Sequence, residues 1–129
     1  MEGIHVLATL RGCRGGRREL VDREALRALC VTSVARAGLT AVGDVFHQFA
    51  GGGVTGCVVL AESHLAIHTW PELAAVTLDL YVCNFSGDNS ARAERVLEDI
   101  VRVFAPEAVE RRDVPRGRIA AAGTLSPAG

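Results

Sequence analysis

Residues 62–72, ESHLAIHTWPE, gather more chemically active side chains than any other segment of the chain. They include one serine, two of the four histidines and two glutamates, and they lie between two apolar stretches. Side chains of these types act as nucleophiles, acids and bases when a fold brings them together. The segment is therefore the candidate active site, although a polar turn with hydrogen-bonded histidines is the simpler interpretation of the residues alone.

Two familiar kinds of site fit the segment poorly. A metal site on His64 and His68 would need a helix to align ligands four residues apart, whereas the segment has the pattern of a strand and lacks an HExxH motif or a cysteine pair. A hydrolase built from Ser63, a histidine and Asp79 would lack the GxSxG nucleophile elbow. Both stay open as alternatives.

A third mechanism turns the serine itself into a cofactor. Its hydroxyl attacks the preceding carbonyl and converts the peptide bond into an ester, and elimination then cuts the chain and leaves a pyruvoyl group at the new N-terminus. Such a ketone forms a Schiff base with a substrate amine and accepts electrons as carbon dioxide leaves, as pyridoxal phosphate does elsewhere. The composition permits this mechanism without requiring it.

The composition narrows the choice of cofactors and partners. All 14 basic residues are arginine, so no lysine is present for a Walker phosphate loop or for holding pyridoxal phosphate. The net charge of −1 gives no overall field that favours nucleic acid or an anionic membrane. The N-terminus does not resemble a signal peptide and no apolar stretch approaches the roughly 20 residues of a membrane span, so the chain is expected to be cytoplasmic.

The spacing of apolar residues predicts one domain over residues 1–129. Asp22 caps a predicted helix that Gly38 ends, and a strongly amphipathic helix follows the segment NFSGDNS. Strands are predicted within residues 4–10, 40–49, 54–61, 65–69, 75–83 and 108–112. The predicted fold class is α+β, a two-layer α/β sandwich with a mostly antiparallel sheet and two helices on one face. The uncovered face is a natural place for a partner subunit.

Three smaller expectations concern the loops and the cysteines. The arginine-rich segment 11–20 is expected to be a solvated loop, and residues 114–129 are expected to form a flexible tail. The four cysteines are scattered without a CxxC pair, which predicts neither a zinc site nor a disulfide framework. Cys30 and Cys57 lie in apolar runs and are expected in the core.

Residues 46–83 resemble the core of the short prokaryotic S-adenosylmethionine decarboxylase proenzymes, a pyruvoyl-dependent family. The string ESHLxIHTWPE, followed by a strand that ends in a single cysteine, carries the resemblance, and a weaker likeness runs from IHVLATLRGC to about Arg112. It implies autocatalytic cleavage between Glu62 and Ser63, which gives a β chain of residues 1–62 and an α chain of residues 63–129. The cofactor would be the pyruvoyl group derived from Ser63, with no metal and no pyridoxal phosphate.

The resemblance also implies roles in processing and catalysis. His68 would remove the serine α-proton during processing, and Thr55 stands where the family commonly has a serine that stabilises the ester intermediate. Cys83 would protonate the substrate carbon after decarboxylation, a role that suits a thiol near neutral pH.

A substrate site is implied as well. Phe49 would stack on adenine or face the sulfonium, and Glu72 would accept hydrogen bonds from the ribose hydroxyls. Leu65 and Trp70 would line or buttress the pocket, and His64 would line it. His47 is a weaker candidate for the pocket, because a buried, hydrogen-bonded strand histidine would explain it equally well. Asp79 is expected to be a structural partner. The chain departs from the family's pattern at residues 51–53, 73–74 and 84.

The implied activity is decarboxylation of S-adenosylmethionine, whose product is the aminopropyl donor for polyamine (spermidine) synthesis. The resemblance further implies a homodimer whose active sites include residues from both protomers. Two alternatives stay open. The same pyruvoyl machinery decarboxylates arginine or ornithine in relatives of the family, and a homologue that does not process itself would act as a dimerisation or regulatory module.

Overall fold

The computed structural model describes residues 2–84 and 87–117. Within these residues the chain forms six strands, three α-helices and one 3-10 turn at Pro71–Leu73. The strands are β1 Gly3–Arg11, β2 Ala41–Gln48, β3 Val54–Leu60, β4 His64–Trp70, β5 Ala75–Cys83 and β6 Ala108–Arg116. The helices are α1 Arg17–Val21, α2 Arg23–Arg36 and α3 Ser90–Phe104.

The six strands form one sheet in the order β2-β3-β4-β5-β1-β6, and every neighbouring pair is antiparallel. Alternate strand residues point towards the helices and form the apolar core, among them Val6, Val58, Ile67 and Leu80. The predicted two-layer α+β sandwich is confirmed. Because the helices cover one face only, the other face carries no layer of the described chain, and we refer to it as the open face.

Both predicted helices are present, and α2 begins and ends for the expected reasons. The Asp22 carboxylate accepts a hydrogen bond from the Ala25 amide at 2.9 Å, which caps α2, and Gly38 follows the helix with a φ of 82°. Helix α3 buries the apolar face that its periodicity predicts, including Ile100 and Phe104. No helix in the described part of the chain is long and apolar enough to cross a membrane.

Three expectations about local structure are wrong. Segment 11–20 is not wholly a loop, because α1 begins at Arg17 and buries Leu20, a helix too short to show a periodic pattern. The tail does not begin at Val114, because β6 stays paired with β1 through Arg116, while residues 118–129 lie outside the described residues. Cys30 is buried in the core, whereas Cys57 is only partly buried, since it points to the open face.

Candidate active site

The segment 62–72 spans the whole open face from one end to the other. Glu62 and Ser63 lie in the turn between β3 and β4, where the Leu60 amide donates to the Ser63 carbonyl at 2.9 Å. Residues 64–70 form β4, and Glu72 lies in the 3-10 turn that follows it. The bond before Ser63 therefore lies in a short hairpin turn whose two flanking strands are held independently by the sheet.

Strand register arranges the open face into rows. Thr55, His68 and Thr77 lie side by side on β3, β4 and β5. The row nearest to Ser63 contains His64, with Val59, Tyr81 and His5 beside it. Since a strand advances about 3.3 Å per residue, these two rows lie roughly 13 Å apart. The candidate residues are thus divided between two ends of the face.

The histidine end of the open face contains Phe49, Thr55, His68, Trp70 and Glu72. These side chains line a cavity of about 300 Å³ together with residues 51, 53 and 69. The Thr55 hydroxyl and the His68 Nδ1 are 3.1 Å apart, and the Trp70 indole donates to the Thr77 hydroxyl at 3.2 Å. Phe49 and Trp70 keep half or nearly half of their surface exposed. Five of the predicted site residues therefore meet in one place.

The serine end contains Ser63, Glu62 and Cys83. Because His64 lies opposite Tyr81 in the antiparallel β4–β5 pair, Cys83 is level with the turn that holds residues 62 and 63. The Cys83 side chain is buried, and the backbone carbonyl of Cys83 accepts a hydrogen bond from the side-chain Nδ2 of Asn89 at 2.8 Å. Ser63 borders a recess of about 100 Å³ on the helix side of the turn.

The two ends do not meet within one chain. Ser63 and His68 are five residues apart along an extended strand, which corresponds to roughly 16 Å at about 3.3 Å per residue. A hydrogen bond or a proton transfer requires a separation of about 3 Å. The structure thus places the predicted processing histidine far from the serine of its own chain.

A third cluster, which the sequence only partly indicates, joins β1, β4 and β5. The Nε2 atoms of His5 and His64 lie 2.8 and 3.0 Å from the same oxygen of Asp79, Oδ2. Partial burial raises the pKa of Asp79, but hydrogen bonds with the two histidines outweigh it and the net pKa is lowered. Asp79 is thus a structural partner, as predicted. His5 was not predicted, and its only signal is its position on the polar side of the alternating segment IHVLATL.

The cluster contains the donor set of a three-ligand metal site, with ligand atoms of His5, His64 and Asp79 within 4.8 Å of one another. The metal pair considered from the sequence, His64 and His68, is wrong because about 13 Å of extended strand separates the two residues. The hydrolase alternative also loses support, since Asp79 binds His5 and His64 and the other site histidine, His68, is far from Ser63.

The remaining candidates occupy different surroundings. Leu65 is fully buried under the helices, so it supports the sheet from the core side and does not line the cavity. His47 is not a buried strand histidine, because it is exposed on the open face with its ring 4.7 Å from that of Phe49 in an edge-on arrangement. All four cysteines are free in the structure.

Comparison with known proteins gives a consistent result. A family model described as S-adenosylmethionine decarboxylase matches residues 4–117. The chain is 40% identical over 116 residues to the S-adenosylmethionine decarboxylase proenzyme of Archaeoglobus fulgidus, covering 89% of this chain and 97% of that protein. It is 37% identical over 115 residues to the proenzyme of Picrophilus torridus, covering 89% and 84%. Its fold matches the crystal structure of adenosylmethionine decarboxylase from Aquifex aeolicus with a TM-score of 0.82 and 32% identity, over 95% of this chain and 97% of that one.

Proposed function

The chain belongs to the S-adenosylmethionine decarboxylase family, and from this membership we propose that it is a pyruvoyl-dependent enzyme that cleaves itself at Ser63 and decarboxylates S-adenosylmethionine. The observation that carries the proposal is the family match over residues 4–117, which includes Ser63 and the side chains at both ends of the open face. The relatives' names give no support to arginine or ornithine as substrate.

Ser63 is suited to processing because it lies in a turn between strands that are held separately. In the proposed reaction its hydroxyl attacks the Glu62 carbonyl, and the peptide C–N bond breaks as the ester forms. Removal of the Ser63 α-proton expels the Glu62 carboxylate, and one water molecule then releases the nitrogen as ammonia and leaves a ketone. After the cut, β3 and β4 stay paired in the sheet, so both products keep their places.

The ketone supplies an electrophile that binds the substrate amine and takes up the electrons left when carbon dioxide departs. The residues at the serine end fit such a group: the Ser63 carbonyl next to it is held by the Leu60 amide, and Cys83 lies level with it on the neighbouring strand. We assign to Cys83 the return of a proton to the substrate carbon.

The cavity at the histidine end suits a nucleoside with a cationic sulfur. An exposed aromatic face such as Phe49 attracts a sulfonium by about 0.5 to 2 kcal/mol, and it also stacks on a purine. Glu72 at the rim would accept hydrogen bonds from the ribose hydroxyls, and Trp70 would form a wall fixed by its bond to Thr77. This composition favours S-adenosylmethionine over the smaller amino acids, which need no adenine platform.

We further propose a homodimer in which each active site combines the serine end of one protomer with the histidine end of its partner. The roughly 16 Å between Ser63 and His68 of one chain supports this, because only a second copy brings the partners into contact. The open face also leaves Leu7, Val45, Val59 and Val114 between 41% and 72% exposed. A two-fold axis would place the serine end of each protomer against the histidine end of the other, which gives two composite sites. The same contact would cover these apolar side chains.

Within this homodimer Thr55 and His68 would act on the Ser63 turn of the partner protomer. The hydroxyl of Thr55 would stabilise the ester and the imidazole of His68 would remove the α-proton, and their contact at 3.1 Å supports a shared task. The product would serve as the aminopropyl donor in polyamine synthesis. That role and a cytoplasmic location stay predictions from the resemblance and the sequence.

The first test is the covalent state of the purified protein. Wild type should separate into chains of 62 and 67 residues with a carbonyl on the larger chain, and Ser63→Ala should stay whole. Ser90→Ala, a serine at the start of α3 outside the site, is the matched control and should process normally. An intact wild type with a sound fold would overturn the proposal in favour of a dimerisation or regulatory module, and covalent labelling of Ser63 by a serine-directed probe would favour a hydrolase.

The second test is turnover. Carbon dioxide release should be measured with S-adenosylmethionine, arginine and ornithine side by side, and faster release from either free amino acid would overturn the substrate assignment. Cys83→Ala should leave cleavage largely intact while impairing product protonation. Normal turnover in that variant would remove the role given to Cys83.

A further inference from the structure

Asp79 and His5 have no role in the chemistry proposed so far, although they join His64 next to the cleavage site. We propose that Asp79, supported by His5, holds the His64 ring and thereby positions the pyruvoyl-bearing end of the α chain for attack by the substrate amine. The inference rests on the proposed function, because it needs the cut before Ser63. All three are positioning residues, since each would act through the chain end and not through the substrate.

One carboxylate oxygen of Asp79 links strands β1, β4 and β5 through hydrogen bonds. Asp79 Oδ2 on β5 accepts hydrogen bonds from His5 on β1 at 2.8 Å and from His64 on β4 at 3.0 Å. The two rings meet edge to face with centroids 5.7 Å apart, and the Tyr81 ring lies within 6.0 Å of both. All three polar side chains are partly buried even in the single chain. The His64 ring is therefore fixed by a hydrogen bond at its tip and by rings at its sides.

Arg116 determines which nitrogen of His5 carries the proton. Its guanidinium lies 3.2 Å from His5 Nδ1 and stacks over the Tyr81 ring at 4.4 Å. A guanidinium only donates hydrogen bonds, so Nδ1 must be the acceptor and must carry no proton. The proton of His5 is therefore on Nε2, which donates to Asp79. In this tautomer the His5 Nε2–H donates to Asp79 Oδ2, and the same oxygen accepts the hydrogen bond from His64.

The position of His64 in the chain connects this cluster to the reaction. The His64 amide nitrogen is the atom to which the pyruvoyl group would be bonded, since residue 63 becomes the first residue of the α chain. On one side of that bond the Leu60 amide holds the Ser63 carbonyl, and on the other Asp79 holds the His64 ring. The keto carbon would be the former Cα of Ser63, which is bonded to the Ser63 carbonyl carbon. The two anchors therefore set the direction in which the ketone points.

The same three donors resemble a facial metal triad, but Arg116 argues against a cation there. A histidine that binds a metal through Nε2 carries its proton on Nδ1 and donates it to an acceptor. The Nδ1 of His5 faces a donor instead, and the guanidinium charge would repel a metal ion. The contacts therefore favour a hydrogen-bonded anchor.

Amide substitutions separate positioning from proton transfer at His64. The side-chain nitrogen of Gln reaches approximately the place of Nε2, whereas that of Asn reaches approximately the place of Nδ1. His64→Gln should keep the bond to Asp79 and retain kcat within a few fold, and His64→Asn should lose it. Loss of a hydrogen bond to a charged group, at the usual strength of such bonds, corresponds to about 10- to 100-fold in activity. KM for S-adenosylmethionine should change much less than kcat, because none of His5, His64 and Asp79 lines the cavity that would receive the nucleoside.

Asp79 and His5 provide a second, independent series. Asp79→Asn keeps an acceptor oxygen and should retain most of kcat, whereas Asp79→Ala should lower kcat by about 10- to 100-fold. His5→Gln should lower kcat less than His5→Ala, because the Gln side-chain nitrogen can still donate to Asp79 from approximately the place of Nε2. The matched control is Asp44→Ala, which removes a carboxylate paired with Arg27 at 2.7 Å on the helix side of the sheet and should leave kcat unchanged. Each rate is divided by the carbonyl content of the α chain, so that incomplete processing is not counted as slow chemistry.

The outcomes are distinct. An intact wild type would overturn the proposed function and this inference together, whereas a processed, active wild type with full kcat in Asp79→Ala would overturn the inference alone. Activity kept by His64→Asn and lost by His64→Gln would show that a hydrogen bond at the place of Nδ1 matters and the bond from Nε2 to Asp79 does not. Activity lost in both amide variants would show that His64 transfers a proton, and either result would end the positioning role. Activity lost on chelation and restored by zinc or cobalt would show a metal site instead. If Asp79→Ala does not fold, the two His64 variants still test the positioning role.

Discussion

The two ends of the open face differ in both shape and chemistry. The histidine end is a cavity of about 300 Å³ with exposed aromatic walls and a Thr55–His68 pair, whereas the serine end is a hairpin turn beside a buried cysteine and a network of hydrogen-bonded rings. In the proposed function, one end receives the ligand and the other holds the new chain end in place. Each has half of what the proposed reaction needs. If the proposed homodimer is correct, this difference means that the functional unit is a pair of chains and that self-cleavage depends on their assembly.

The largest expected effect comes from separating the two ends genetically. Ser63→Ala and His68→Ala should each fail to process as homodimers, because general-base catalysis contributes about 100- to 10,000-fold. In a mixed dimer the His68→Ala chain still has its serine, and the Ser63→Ala chain still has its histidine. One of the two composite sites is then complete, and it contains the intact serine of the His68→Ala chain, so the His68→Ala chain of every mixed dimer should be cleaved. Electrophoresis of differently tagged chains measures this.

A second mixture sharpens the comparison. Ser63→Ala and Cys83→Ala both affect the serine end, so a mixed dimer of these chains has no complete serine end. Decarboxylation should therefore not be restored, in contrast to the first mixture. Restoration in both mixtures, or in neither, would contradict the division of the site between the two ends.

Oligomeric state gives the next largest effect. Val45 is 72% exposed and Leu7 41% exposed on the open face, and neither supports the core. Replacing both with lysine should leave the monomer folded but place unpaired charges in the proposed interface, at a cost of several kcal/mol per buried ion. Sedimentation should then show a monomer that does not process. Val109→Lys, at a 44% exposed valine of β6 outside the open face, is the control, and equal dissociation in it would argue against the open face as interface.

Much of the fold follows from the sequence because it depends on local periodicity. Alternation identified the strands, and the apolar face of α3 and the carboxylate of Asp22 identified the helices. Helix α1 was missed because five residues are too few for a period, and β6 was cut short because Pro115 and the charged residues around it resemble a tail. Both depend on pairing with distant segments, which no local pattern contains.

The site was predicted as a set of residues but not as an arrangement. Five residues between Ser63 and His68 are close in a written sequence, yet an extended strand stretches them to roughly 16 Å. Conversely, His5 and Asp79 are 74 positions apart and share a hydrogen bond of 2.8 Å. A resemblance assigns roles to positions, whereas distances come only from strand register. This is why the division into two ends and the anchor at Asp79 emerged from the structure.

A smaller effect concerns the stability that Asp79 gives to the serine end. Hydrogen bonds from His5 and His64 lower its pKa against the opposing effect of burial, so the folded state favours the ionised carboxylate. A depressed pKa stabilises the fold above the unfolded value of about 3.9, and this stability is lost as the pH falls through the lower folded value. Asp79→Asn should cost about 1 to 2 kcal/mol at pH 7, as expected for hydrogen bonds to a charged group.

The measurement is denaturant unfolding in a Ser63→Ala background, so that both proteins are single chains. The difference from Asp79→Asn should shrink as the pH falls below about 4, because the wild-type carboxyl then becomes neutral as well. Arg112 and Glu110, which border Asp79 on the open face, are the same in both proteins and cancel in the difference. A difference that stays constant down to pH 2 would mean that packing, not charge, is what Asp79 supplies.

The smallest expected effect tests how rigid the histidine end is before it meets a partner. Ala74, two residues after Glu72, has a φ of 48°, and its carbonyl accepts a hydrogen bond from the Cys13 amide at 2.8 Å. A non-glycine residue in this left-handed region is strained, so Ala74→Gly should raise the free energy of unfolding by about 1 kcal/mol and Tm by a few degrees. Ala105→Gly relieves a similar φ of 44° at the end of α3 and is the matched control. If the turn is already set as the site requires, both variants should gain stability equally and leave KM unchanged. A rise in KM in Ala74→Gly alone would mean that this strain holds Glu72 in place, and that the histidine end, like the serine end, depends on an anchor outside the cavity.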